Sequence, residues 1–211
     1  MTWNSQPPSE EVCFETLNTA FKLGANLWNG GEIYGTPERN SLHLLHNYFT
    51  KFPEKADQVV LSIKGGSLPG VLQPDGSEAN LRRSVNECLR VLDGKKSVDI
   101  FECARQDPNT TIEQTVTILA QLVKEGKIGG IGLSEVDADT IRRAYVQHRK
   151  DRKVDQAKVL NIFPGTKSIQ LPRWKLNFPC GRQTFFKTIL LEPVLNSISR
   201  WWRTLHLVEE H

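Results

Sequence analysis

The chain has 211 residues, of which 38% are hydrophobic, and 27 Lys and Arg against 24 Asp and Glu leave a net charge of +3. That is enough chain for one sizeable core, while the near balance of charge argues against nucleic acid as a partner, and no run approaches the ~18 apolar residues of a membrane span. Cys13, Cys88, Cys103 and Cys180 are scattered without metal-ligand spacing, and Met1 to Glu11 is polar with no signal-peptide core, so reduced thiols, no metal and a cytoplasmic location are expected.

In chain order, Ser9 is a candidate N-cap ahead of Glu10 and Glu11, with Cys13, Leu17, Ala20 and Phe21 on one helical face and Gly24 as the stop. A first strand is expected at Asn26 to Asn29. A second helix should start near Pro37-Glu38, bury Leu42, Leu45, Phe49 and Phe52, and close at Pro53. A second strand follows at Val59 to Ile63, then a Gly/Pro loop from Gly65 to Gly76. The next helix has the cleanest amphipathic pattern of the chain, Leu81, Val85, Cys88, Leu89 and Leu92. A third strand is expected at Val98 to Cys103. The spacing Thr110-x-x-Glu113 suggests a capping box for a helix that buries Ile112, Val116, Leu119, Ala120 and Val123 and ends at Gly126. A fourth strand at Ile128 to Leu133 and a helix from about Asp137 to His148 complete the series.

Strand midpoints recur about every 30–40 residues with a helix between, the rhythm of parallel βαβ units. No Gly-x-Gly-x-x-Gly follows a strand, which argues against a Rossmann dinucleotide site. The strands instead deliver polar groups at their carboxyl ends: Tyr34 after Gly30-Gly31, Lys64 before Gly65-Gly66, and Arg105 after Cys103. That is how a βα-barrel builds an active site, although 211 residues fall short of the ~250 typical of eight units. The fold class expected is therefore α/β, a partial (β/α)8 barrel of about four parallel βα units with an irregular C-terminal tail.

Four ordered segments resemble the aldo-keto reductase superfamily, most closely its fungal pyridoxal reductase branch: Trp28-Asn-Gly-Gly-Glu-Ile-Tyr-Gly-Thr-Pro-Glu38, Leu61-Ser-Ile-Lys-Gly-Gly66, Cys103-Ala-Arg-Gln-Asp-Pro-Asn109 and Glu125-Gly-Lys-Ile-Gly-Gly-Ile-Gly-Leu-Ser-Glu135. The resemblance implies an NADPH-dependent (NADP as cofactor) oxidoreductase for a small carbonyl substrate, an aldehyde or ketone such as pyridoxal. It implies Tyr34 as proton donor, Lys64 as the cation that lowers the pKa of the tyrosine, and Ser134 with Glu135 as the nicotinamide contacts. Asn29 stands where most members carry an aspartate, and Ala104 where they carry a histidine. An amide can hold Lys64 by a hydrogen bond but brings no counter-charge.

The resemblance spans roughly residues 9–148, expected to form a partial reductase barrel. It finds no counterpart of the family's N-terminal hairpin and first strand, nor of the segments after its fifth strand. Residues 149–211 lack the βαβ rhythm. Read two bases later, the codons of Trp174-Lys-Leu-Asn-Phe178 and of Ser199 to His206 admit the family's sixth- and seventh-strand patterns, so an out-of-frame or intron-derived origin is expected for this tail. Ile162-Phe-Pro-Gly-Thr-Lys-Ser168 resembles the family's late phosphate-binding segment.

Three readings follow from the residues. One is a carbonyl reductase. Another is an inactive truncated remnant or partner-binding non-enzyme, with self-association through exposed strand edges. The third is a barrel enzyme using Lys64 as a Schiff-base nucleophile. Taken singly, Tyr34 would pass for a loop tyrosine, Ser134 for a helix cap, Arg105 and Asp107 for a structural pair, and His43, His46 and His148 for surface groups.

Overall fold

The computed structural model describes residues 7–159, with side chains described as far as Asp151. The elements alternate: α1 (Glu10–Lys22), β1 (Leu27–Gly31), α2 (Ser41–Lys51), a 3-10 turn (Pro53–Lys55), β2 (Val60–Gly65), α3 (Glu78–Leu92), β3 (Ile100–Cys103), α4 (Ile112–Lys124), β4 (Gly130–Leu133) and α5 (Ala138–Val159). The strands form one parallel sheet in the order β1-β2-β3-β4. Each crossover adds its strand to the same edge, which is the winding of a βα-barrel wall and matches the expected class.

Register sorts the side chains onto two faces, because alternate strand residues point in opposite directions. Trp28 aligns with Leu61, Ile63 with Phe101, Phe101 with Ile131, and Cys103 with Leu133. All of these are buried, and they face the helices. A Cβ placed on Gly30 of the same face would meet Leu45 of α2, and one on Gly65 would meet Ser84 of α3. Behind β1, the Trp28 ring lies 5.1 Å from Tyr48 and 5.9 Å from Phe49, and Phe14 lies 5.4 Å from Tyr48, which ties α1 and α2 together. Leu81, Val85, Cys88 and Leu92 of α3 are fully buried, as their spacing predicts.

Several helix ends differ from the sequence reading, each for a local reason. At α1, Ser9 caps as expected and accepts from the Val12 amide. At α2, Pro37 stays in the loop and Asn40 caps instead, its Oδ1 accepting from the amides of Leu42 and His43. Gly35, at φ +132°, turns the chain so tightly that a Cβ there would come 2.3 Å from the Arg39 carbonyl oxygen. At α4 the capping box forms one residue later than expected, between Thr111 and Gln114, because the Thr110 hydroxyl donates to Asp107. The first turn of α5 is capped by Asp137, which accepts from the Thr140 amide, so Ser134 is not the cap.

α5 also runs past His148 to Val159, through the boundary expected near residue 149. No Gly or Pro interrupts it, and Asp151 accepts from Thr117 of α4. His148 is buried, contrary to the surface position expected for it. Cys13, Cys88 and Cys103 are free, buried thiols. Cys180, the Ile162–Ser168 segment and the part of the 149–211 tail after Val159, expected to be out-of-frame or intron-derived, lie outside the described residues.

Candidate active site

The second face of the sheet is polar. Asn29 aligns with Ser62, Gly31 with Lys64, and Lys64 with Glu102, while Gly130 and Gly132 occupy the matching positions on β4. Ser62, Lys64 and Glu102 are all buried, at 4%, 3% and 0% exposure. Buried polar groups need partners. Asn29 Nδ2 donates to the Ser62 carbonyl at 3.2 Å and to Glu102 Oε1 at 2.6 Å, and the Ser62 hydroxyl donates to the same oxygen at 3.0 Å. Side chains on β1 and β3 thus converge across β2.

Tyr34 lies on the loop after β1, and backbone bonds fix that loop to the strand tips. The Glu32 amide donates to the Lys64 carbonyl at 3.0 Å, the Tyr34 amide to the Gly31 carbonyl at 3.2 Å, and the Ser41 amide to the Tyr34 carbonyl at 2.9 Å. A Cβ on Gly31 would stand 3.2 Å from both the Lys64 carbonyl oxygen and the Tyr34 ring. Glycine at this position lets the ring lie against the end of β1, beside the strand that carries Lys64. Glu32 is anchored in turn to α3, where Ser84 donates to it at 2.9 Å and Arg83 at 3.2 Å.

Burial holds the Tyr34 phenol above its ordinary pKa, and the Glu102 charge adds to the shift; Arg105 opposes it and Glu135 reinforces it. The net direction is opposite to the lowering expected from Lys64. Of these groups, Glu102 belongs to β3, Arg105 follows β3 and Glu135 follows β4.

Ser134 and Glu135 follow β4. Ser134 is buried and lines a narrow cleft with Gly66, Gly76, Arg105, Asp107 and Thr115. Its hydroxyl makes no hydrogen bond among the described residues. Glu135 adopts a left-handed backbone, φ 55°, and pairs with Arg105 at 2.9 Å. The expected Arg105–Asp107 pair is therefore replaced. Asp107 instead accepts from the amides of Gly76 and Asn109 and from the Thr110 hydroxyl, which ties the loop after β2 to the loop after β3. Among the described residues no cluster of His, Cys, Asp or Glu is placed to hold a metal ion. No described helix is long and apolar enough to cross a membrane.

Tyr34, Lys64 and Asn29 thus share one end of the sheet, and Ser134 with Glu135 sits at the tip of β4. Sequence reasoning missed Glu102. Its signal was a charged residue inside the otherwise apolar strand Ile100-Phe-Glu-Cys103.

The family model described as the aldo/keto reductase family matches residues 1–169. A Schizosaccharomyces pombe protein named "Probable pyridoxal reductase 2" is 42% identical over 145 residues, covering 68% of this chain and 44% of that protein. A Saccharomyces cerevisiae protein named for pyridoxal reduction is 33% identical over 156 residues, covering 69% and 44%. Among solved structures, a glycerol dehydrogenase from Gluconobacter oxydans superposes with a TM-score of 0.57 at 21% identity, over 68% of this chain and 44% of that one. A thermostable aldo-keto reductase superposes with a TM-score of 0.54 at 24% identity, over 69% and 50%. At these identities the structural matches establish the shared fold. The chain spans a little under half the length of the curated relatives it matches.

Proposed function

The chain belongs to the aldo/keto reductase family, and on that footing we propose that it is an oxidoreductase reducing an aldehyde or ketone of the pyridoxal kind with NADPH. The names of the two yeast relatives suggest the substrate. The observation that carries the reading is the convergence at one end of the parallel sheet: the Tyr34 ring against Gly31, buried Lys64 one strand over, and Ser134 in the neighbouring cleft.

A nicotinamide cofactor fits these residues in one respect that the geometry supports. The Ser134 hydroxyl borders the cleft with no partner among the described residues, so it is available to a carboxamide. Glu135 lies beside it. Aldo/keto reductases generally use NAD(P)H, which supplies hydride when bound.

The rest of the chemistry belongs to the chain. Burial and the Glu102 charge keep the Tyr34 phenol protonated, so its proton is there to give to a carbonyl oxygen. The Lys64 ammonium, in the next strand, stabilises the phenolate that this transfer leaves behind. Asn29 cannot assist by charge, and its amide instead holds Glu102.

Pyridoxal-dependent oxidation of NADPH by the purified chain tests the proposal. Tyr34→Phe should lower the rate about 10²–10⁴-fold, the range for loss of a general acid. Equal rates in the two proteins would overturn it, and absence of both turnover and NADPH binding would favour a non-enzyme. We also infer that the outer edges of β1 and β4, unpaired among the described residues, give a route to self-association. A molecular mass independent of concentration would rule that out.

A further inference from the structure

Glu102 is no part of the four motifs that resemble the family, yet it is the polar centre of this face. It is fully buried. Oε1 accepts from Asn29 and Ser62, whereas Oε2 has no hydrogen-bond partner among the described residues. Gly132 closes in from β4, where an added Cβ would come 2.8 Å from Glu102 Cβ. A carboxylate this deep needs a nearby counter-charge. Lys64 is the buried cation in register with it, leaving an adjacent strand on the same face. Neighbouring strands lie ~4.8 Å apart, so the two side chains start as immediate neighbours.

Asn29 completes the pattern. It occupies the position at which an aspartate would put a negative charge beside Lys64. An aspartate here would instead face Glu102 at the 2.6 Å now spanned by the amide, and two carboxylates at that distance repel. The amide on β1 and the carboxylate on β3 are therefore a matched donor and acceptor. The charge has moved from one strand to the other.

We propose that Glu102 supplies from β3 the counter-charge to Lys64 that Asn29 cannot, and thereby positions the ammonium beside Tyr34. The inference rests on the reductase reading of Tyr34 and Lys64. Glu102 is a positioning residue: it acts through Lys64 and through its charge on Tyr34, without reaching substrate. The charged groups around Tyr34 are Glu102 on β3, Arg105 after β3, Glu135 after β4 and Lys64 on β2. Of these, Glu102 is fully buried, and its charge pushes the phenol pKa upward.

Three full-length variants test this: Glu102→Gln, Asn29→Asp, and the two combined. The combination reverses donor and acceptor and returns the charge to β1. Tyrosine ionisation is followed by ultraviolet difference titration, with Tyr34→Phe identifying the Tyr34 component, alongside kcat and KM for pyridoxal reduction. Glu102→Gln should move Tyr34 ionisation to lower pH and lower kcat roughly tenfold with KM unchanged, the scale of one charge-assisted contact. The combined variant should restore both, while Asn29→Asp alone should move Tyr34 ionisation to higher pH.

An unchanged titration in Glu102→Gln, or a combined variant no nearer to wild type, would overturn the proposal. Should Glu102→Gln fail to fold, the combined variant decides: native-like folding and titration support the relocated charge, and a second failure to fold overturns it. The titration needs no turnover. A wild-type chain that reduces no carbonyl would sink the reductase reading while leaving the role of Glu102 still decided by the titration.

Discussion

The two faces of the single sheet are written by the same four strands and held by different physics. Toward the helices, Trp28, Leu61, Ile63, Phe101, Ile131 and Leu133 fill space, and burial of apolar surface stabilises them. On the other face, Asn29, Ser62 and Glu102 are held by matched donors and acceptors, with Lys64 buried in register beside Glu102 and with Gly31 and Gly132 leaving room. The first face should tolerate exchange of one apolar side chain for another of similar volume. The second should tolerate changes of volume better than changes of charge. The difference teaches which residues make the fold and which make the site.

The largest expected effect that would sharpen this contrast is Phe101→Ala. This ring is fully buried between β2 and β4, and its loss should cost about 3–5 kcal/mol of stability in urea unfolding. Tyr34→Phe, which removes a hydroxyl and no charge, should do the reverse. Activity should fall by about 10²–10⁴-fold, the range for acid–base assistance, while the midpoint of unfolding moves far less than for Phe101→Ala. A collapse of stability in Tyr34→Phe as large as in Phe101→Ala would break the distinction between the faces. The smallest effect belongs to neither face: Thr111→Ala removes the α4 cap and should cost ~1 kcal/mol with kcat unchanged.

How much of this was legible in the chain depends on the range of the interaction. Strand tips were readable because each apolar run ends in a single polar residue, as with Lys64 before Gly65-Gly66. The close approach implied by that glycine pair is real, since a Cβ on Gly65 would come 2.4 Å from Ser84 Oγ. Most helix ends fall close to their expected places, but α2 starts at Ser41 rather than near Pro37, where Asn40 takes the cap, and at α4 two candidate boxes compete. Thr110-x-x-Glu113 and Thr111-x-x-Gln114 both satisfy the box, and Asp107, three residues before Thr110, decides by accepting from its hydroxyl.

The end of α5 was placed too early because loss of βαβ rhythm was equated with loss of helix. Glu102 could not be assigned a partner at all. Its place opposite Lys64 is a matter of register between strands almost forty residues apart, which no local pattern encodes. The direction of the Tyr34 shift was missed for the same reason, since it depends on burial and on a charge from β3.

The central claim is that the polar end of this sheet is a working nicotinamide-dependent site. Titration of the purified chain with NADPH, followed by quenching of tryptophan fluorescence, tests it most directly. A saturable signal that weakens in Ser134→Ala is the expected result. No saturation at any concentration, or the same affinity with and without the Ser134 hydroxyl, would contradict it.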